Sequence, residues 1–86
     1  MIKMQIVTSP GCQCCEDIKN YIKDVQKDFP DLEVEIIDVT TPQGQELAQK
    51  YTILAAPGII INGKLEFSGE TKEEDLRKKL KEIQGL

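Results

Sequence analysis

Hydrophobic spacing in this chain switches between two periods. Residues 2 to 8, Ile-Lys-Met-Gln-Ile-Val-Thr, form a short apolar-rich run that ends in Thr-Ser-Pro-Gly, which predicts a strand followed by chain-breaking residues. From Cys15 onward the period changes. Ile18, Tyr21, Ile22, Val25 and Phe29 recur at helical spacing while Glu16, Asp17, Lys19, Lys23, Asp24 and Lys27 take the other face, and Pro30 helps to end the helix. Residues 32 to 39, Leu-Glu-Val-Glu-Ile-Ile-Asp-Val, begin by alternating, finish nearly apolar and are rich in β-branched side chains, so a second strand follows. A connection that holds a helix of this length returns to a parallel neighbour with right-handed crossover, which makes residues 2 to 39 a βαβ unit.

Thr41-Pro42 supplies an N-cap and a first-turn proline for a short helix through about Tyr51, with Leu47, Ala48 and Tyr51 facing inward; Gly44 argues against a helix there. Ile59-Ile60-Ile61 and Lys64 to Ser68 flank Asn62-Gly63, a pair suited to a two-residue turn in which both positions take positive φ, so two antiparallel strands are expected. Thr71-Lys72-Glu73-Glu74 has the pattern of a capping box, and Leu76, Leu80 and Ile83 mark one face of a closing helix. The predicted order is βαβαββα.

Length and charge narrow the function. Eighty-six residues, with no repeat and no low-complexity tract, fit a single domain over 1–86. A net charge of -4 and the lack of any lysine or arginine cluster beside aromatic residues give no footprint for nucleic acid. The first residues lack the pattern of a secretory signal and no apolar run approaches the ~20 residues of a membrane helix, so no membrane association and a cytoplasmic location are expected.

The chemistry concentrates in Cys12-Gln13-Cys14-Cys15, which holds all three cysteines of the chain. A disulfide-stapled secreted domain scatters an even number of cysteines to close long loops; here all are local. Cys12 and Cys15 are three apart, so on a helix that begins around them they share a face and can bridge. Unpaired N–H groups at the helix start favour an anion on Cys12, the expected attacking thiolate, with Cys15 as the sheltered thiol that resolves the mixed disulfide. With no histidine in the chain, no imidazole can serve as base. Cys14 points away from the Cys12/Cys15 face, as a bystander or as a modulator competing for Cys15. Two other readings stand beside this one: the thiols as small buried hydrophobes, or Cys12, Cys14 and Cys15 as a soft-metal binding module or metallochaperone for Cu(I), Zn(II) or arsenite. A closed tetrahedral zinc site needs a fourth ligand that this segment lacks.

Pro-Gly-Cys12-Gln-Cys-Cys15 between strand and helix, the βαβαββα order, Ala55-Ala56-Pro57 ahead of the hairpin, and Gly63 followed by Phe67-Ser68-Gly69 together resemble the thioredoxin superfamily, in particular its small thioredoxin-like and glutaredoxin-like members. The resemblance implies an α/β fold with a four-stranded mixed sheet flanked by three helices, the cysteine pair at the start of the first long helix, and Pro57 in cis beside it. It further implies a thiol-disulfide oxidoreductase without a bound cofactor, monomeric, that acts on disulfide-containing proteins and is recharged by a separate reductase. Ala56 and Pro57 would then receive an extended substrate segment through backbone pairing. The chain departs from thioredoxins in having no Trp and in placing Gln13-Cys14 between the cysteines, and from glutaredoxins in having Ala55-Ala56-Pro57 where Thr-Val-Pro is usual.

Overall fold

The computed structural model describes residues 2–53 and 55–85. Its elements are β1 (Ile2–Thr8), α1 (Gln13–Asp28), β2 (Leu32–Asp38), α2 (Pro42–Lys50), β3 (Gly58–Ile61), β4 (Lys64–Ser68) and α3 (Glu73–Gln84). They follow the predicted βαβαββα order. The sheet runs β2-β1-β3-β4, with β1 parallel to β2 and antiparallel to β3, and β3 antiparallel to β4.

Alternation along β1 sorts the two faces of the sheet. Ile2, Met4 and Ile6, with Ile59 and Ile61 of β3, pack against Ile18, Ile22 and Val25 of α1 and Leu76 and Leu80 of α3. Each fully buried leucine or isoleucine here contributes about 2 kcal/mol of transfer free energy. Val7, Ile37 and Ile60 are also buried but stand at the opposite pleat positions, toward α2. With only nine residues, α2 covers one end of that face. Toward the other end Lys3, Glu33 and Glu35 are exposed.

Gly44 is the buried residue of α2, and a Cβ there would lie 2.1 Å from the Asp38 carbonyl oxygen and 2.7 Å from Val39 Cα. The glycine that weakens the helix in sequence terms is what lets the helix close on the end of β2. Leu47 and Ala48 are half-buried, as is Tyr51, which caps the helix and donates from its hydroxyl to Gly63 O at 3.2 Å. Asn62 (φ 52°) and Gly63 (φ 80°) form the predicted turn. Asn62 also extends the β1 ladder, its N–H donating to Lys3 O (2.8 Å) and its Oδ1 accepting from Lys3 N–H (2.9 Å).

The first helix starts at Gln13 with Cys12 as its cap, so it begins around the cysteines as expected. One sequence expectation is corrected. The capping box at Thr71 to Glu74 does not form. Lys72 is the N-cap of α3 without a side-chain cap bond, while the Thr71 hydroxyl turns back to donate to Gly69 O (3.1 Å) and its carbonyl accepts from the Tyr21 hydroxyl (2.8 Å). Thr71 thus locks the β4–α3 loop onto α1, and Arg77, bonded to Asp28 and Glu73, fastens the same two helices further along.

The close approach at α2 gives a direct test. Gly44→Ala is expected to destabilise the protein by about 2 kcal/mol, read from the urea midpoint at unchanged m-value, because the added methyl meets backbone that cannot rotate away. An unchanged midpoint would contradict this packing.

Candidate active site

The end of β1 aims the chain at the start of α1. Thr8, buried at the last strand position, accepts from Val39 N–H through its carbonyl at 2.7 Å. Ser9-Pro10-Gly11 then reverses direction, with Cys12 N–H donating to Ser9 O at 3.3 Å. Gly11 takes φ +73° in open space, so conformation rather than crowding selects glycine there.

Cys12 is the N-cap of α1, in extended conformation (φ −90°, ψ 114°). Its Sγ accepts from Cys15 N–H at 3.2 Å, using sulfur where helices ordinarily present Ser, Thr or Asp oxygen to the first free N–H groups. Its carbonyl accepts from Glu16 N–H at 3.2 Å. Cys15 is one turn in and only 1% exposed, with Sγ accepting from Ser9 N–H at 3.5 Å. Burial pushes the Cys15 thiol up to about 11, and the hydrogen bond with Cys12 adds to that rise. The two thiols therefore sit side by side, one half-buried at the helix mouth and one sealed behind it. All three cysteines are free thiols in this structure.

Cys14 is half-buried. Partial burial raises its pKa first, followed by the charge of Glu70, then Cys12 and Asp17. The thiols do not converge: among the described residues no group of three or more His, Cys, Asp or Glu side chains could hold a metal ion.

Across from Cys12 lies the loop before β3. The Ala56-Pro57 peptide bond is cis, and the Cys12 thiol lies 3.8 Å from Ala56 O. The loop is pinned from its far side, Pro57 O accepting from Gly69 N–H (3.0 Å) and Ala55 O from the Ser68 hydroxyl (3.3 Å). Gly69, at φ +94°, faces Ala55, whose Cβ would be 3.5 Å from an added methyl. Cys12, Cys15, Ala56 and Pro57 are thus brought together, with Cys14 at the rim. Sequence reasoning missed Ser9 as the donor to Cys15; its only signal is its place three residues before the cap.

This geometry has counterparts among known proteins. Residues 2–81 match the family described as thioredoxin domain. The chain belongs to that family. It is 37% identical over 81 residues to a thioredoxin of Methanocaldococcus jannaschii, covering 93% of each chain, and 34% identical over 77 residues to a probable thioredoxin of Methanothermobacter marburgensis, covering 88% of each. Among solved structures it is similar to Fasciola hepatica thioredoxin, at 27% identity and TM-score 0.76 over 94% of this chain and 79% of that one. As a thioredoxin-family protein with adjacent Cys12 and Cys15 thiols, it is a thiol-disulfide oxidoreductase, and disulfide-containing molecules are its general class of partner. Among the described residues no helix is long and apolar enough to cross a membrane.

The difference in exposure between the two thiols predicts an order of labelling. Iodoacetamide at pH 7 followed by peptide mapping is expected to modify Cys15 on the order of 100-fold more slowly than Cys12, and to lose that contrast in denaturant. Equal rates in the folded protein would place Cys15 at the surface.

Proposed function

We propose that Cys12 is the nucleophile that attacks a disulfide of a partner protein and that Cys15 resolves the adduct, with Ala56 and Pro57 as the docking surface. One observation supports this most: Cys12 Sγ is at once the N-cap acceptor of α1, 3.2 Å from Cys15 N, and the nearest thiol to the substrate-side loop, 3.8 Å from Ala56 O. The free N–H groups and dipole at the helix start stabilise negative charge on that sulfur.

The chemistry balances in two displacements. Cys12 thiolate attacks one sulfur of the substrate disulfide, forming the mixed disulfide and expelling the first substrate thiolate, which takes a proton from water. Cys15, having lost its proton, attacks Cys12 Sγ; the Cys12–Cys15 disulfide forms and the second substrate thiol leaves. Two electrons pass to the substrate, and a separate reductase returns them. Exposed Ala55 and half-buried Ala56 carry only methyl groups, which leaves the backbone open to an extended substrate strand. Cys14 is a peripheral modulator in this scheme, and the protein works as a monomer in the cytoplasm, a location in keeping with cysteines that all lie in one short segment.

Insulin-disulfide turnover tests the roles. Cys12→Ser is expected to lower it at least about 100-fold, Cys15→Ser to accumulate a covalent substrate adduct visible by mass spectrometry, and Cys14→Ser to retain most of it. A C12S variant that turns over at full rate would remove Cys12 from the mechanism.

The resolving step has its own pH signature. Burial holds the Cys15 thiol above its ordinary value, so it is neutral at pH 7 and its thiolate fraction grows about tenfold for each pH unit below its pKa. Stopped-flow decay of the mixed disulfide is therefore expected to accelerate steadily from pH 7 to 9. A flat profile would mean that another group takes the Cys15 proton.

A further inference from the structure

Two acidic side chains flank the thiol surface, and no ion pair among the described residues reaches either. Asp17 stands three residues after Cys14 on α1 and so on its face, held by Gln13 Nε2 donating to Oδ1 at 3.1 Å. Glu70 is exposed and follows Gly69, whose N–H is bonded to Pro57 O at 3.0 Å, so the loop anchor that fixes the docking segment also fixes the start of Glu70. Both charges bear on the same place, since after burial the rise of the Cys14 thiol comes from Glu70, Cys12 and Asp17. The neighbouring charges are accounted for differently. Glu16 is paired with Lys19 at 3.6 Å and Glu73 with Arg77 at 2.8 Å, while Lys72 is followed by Glu73, Glu74 and Asp75 in the first turn of α3.

We propose that Asp17 and Glu70 set the substrate preference of this site, favouring disulfides flanked by lysine or arginine and disfavouring those flanked by carboxylates. This rests on the reading that substrates dock at Cys12 and Ala56-Pro57. A partner strand laid along Ala55-Ala56-Pro57 would run between the Gly69 anchor, which Glu70 follows, and the start of α1, with Asp17 just beyond its first turn. Two unit charges about 10 Å apart in water interact weakly, but two acids acting on two substrate charges of either sign separate cationic from anionic substrates by on the order of tenfold at low salt. The sign of the field, not a shaped pocket, carries the selection.

The test uses three peptides that share one disulfide loop and differ only in flanks of two lysines, two serines or two glutamates. Each reduction rate is divided by that of dithiothreitol on the same peptide, which removes differences in intrinsic reactivity. At ~20 mM ionic strength the lysine peptide is expected to exceed the glutamate peptide on the order of tenfold, with serine between, and at ~0.5 M the gap shrinks to within about twofold. Asp17→Asn with Glu70→Gln collapses the low-salt gap, whereas Glu33→Gln with Glu35→Gln, an equal change in net charge on the uncovered sheet face, preserves it. A gap that survives D17N/E70Q, ignores salt, or narrows equally in E33Q/E35Q overturns the proposal. If the serine peptide is not reduced at all, the docking reading itself fails, and this inference with it.

Discussion

The hydrogen bond from Cys15 N–H to Cys12 Sγ organises this molecule's chemistry. A helix begins with backbone donors that have no partner of their own, and the residue that supplies the acceptor decides where the helix starts. Here that acceptor is sulfur, so the atom that starts α1 is also the atom proposed to react. Structure and reactivity share one contact. Whatever is bonded to Cys12 Sγ alters the cap of α1.

The rest of the fold aims that contact. Strand β1 lies inside the sheet, paired on both edges, so the turn that follows it leaves from a fixed point. Ser9 of that turn donates its N–H to Cys15 Sγ and accepts through its carbonyl from Cys12 N–H, tying the turn to the backbone of one cysteine and the thiol of the other. On the opposite wall the Ala55-Ala56-Pro57 loop is held by Ser68 and Gly69 at the end of β4. Each wall of the site is therefore anchored on a different strand of one sheet, with the substrate-facing gap between them.

Most of the fold was legible because periodicity reports burial. Ile18, Ile22 and Val25 recur at helical spacing and all lie in the core, and the apolar-rich run at residues 2 to 8 is strand β1. Asn62-Gly63 is readable because only a few residues accept positive φ at both turn positions. What escaped was set by contacts distant in sequence. Thr71 looks like a capping residue, yet its hydroxyl and carbonyl are taken by Gly69 and Tyr21, and no local pattern encodes a partner fifty residues away. Gly44 reads as a helix weakener because its reason lies on the backbone of Asp38 and Val39. For the site, the cysteine spacing was visible in the chain, and Pro57 in cis came from the resemblance; the Ser9 donor and the bond from Gly69 to Pro57 emerged only when β1 and β4 were set in one sheet.

The outer strand β2 carries a further consequence. Its backbone is unpaired along one side, which is where a second chain would add, and Ile36 is 46% exposed there. Glu33 and Glu35 project from the same strand onto the face that α2 leaves bare. Two copies meeting edge to edge would crowd four carboxylates onto one continuous surface. The short second helix thus leaves an uncovered patch, and the acids along it put like charge where an added strand would lie.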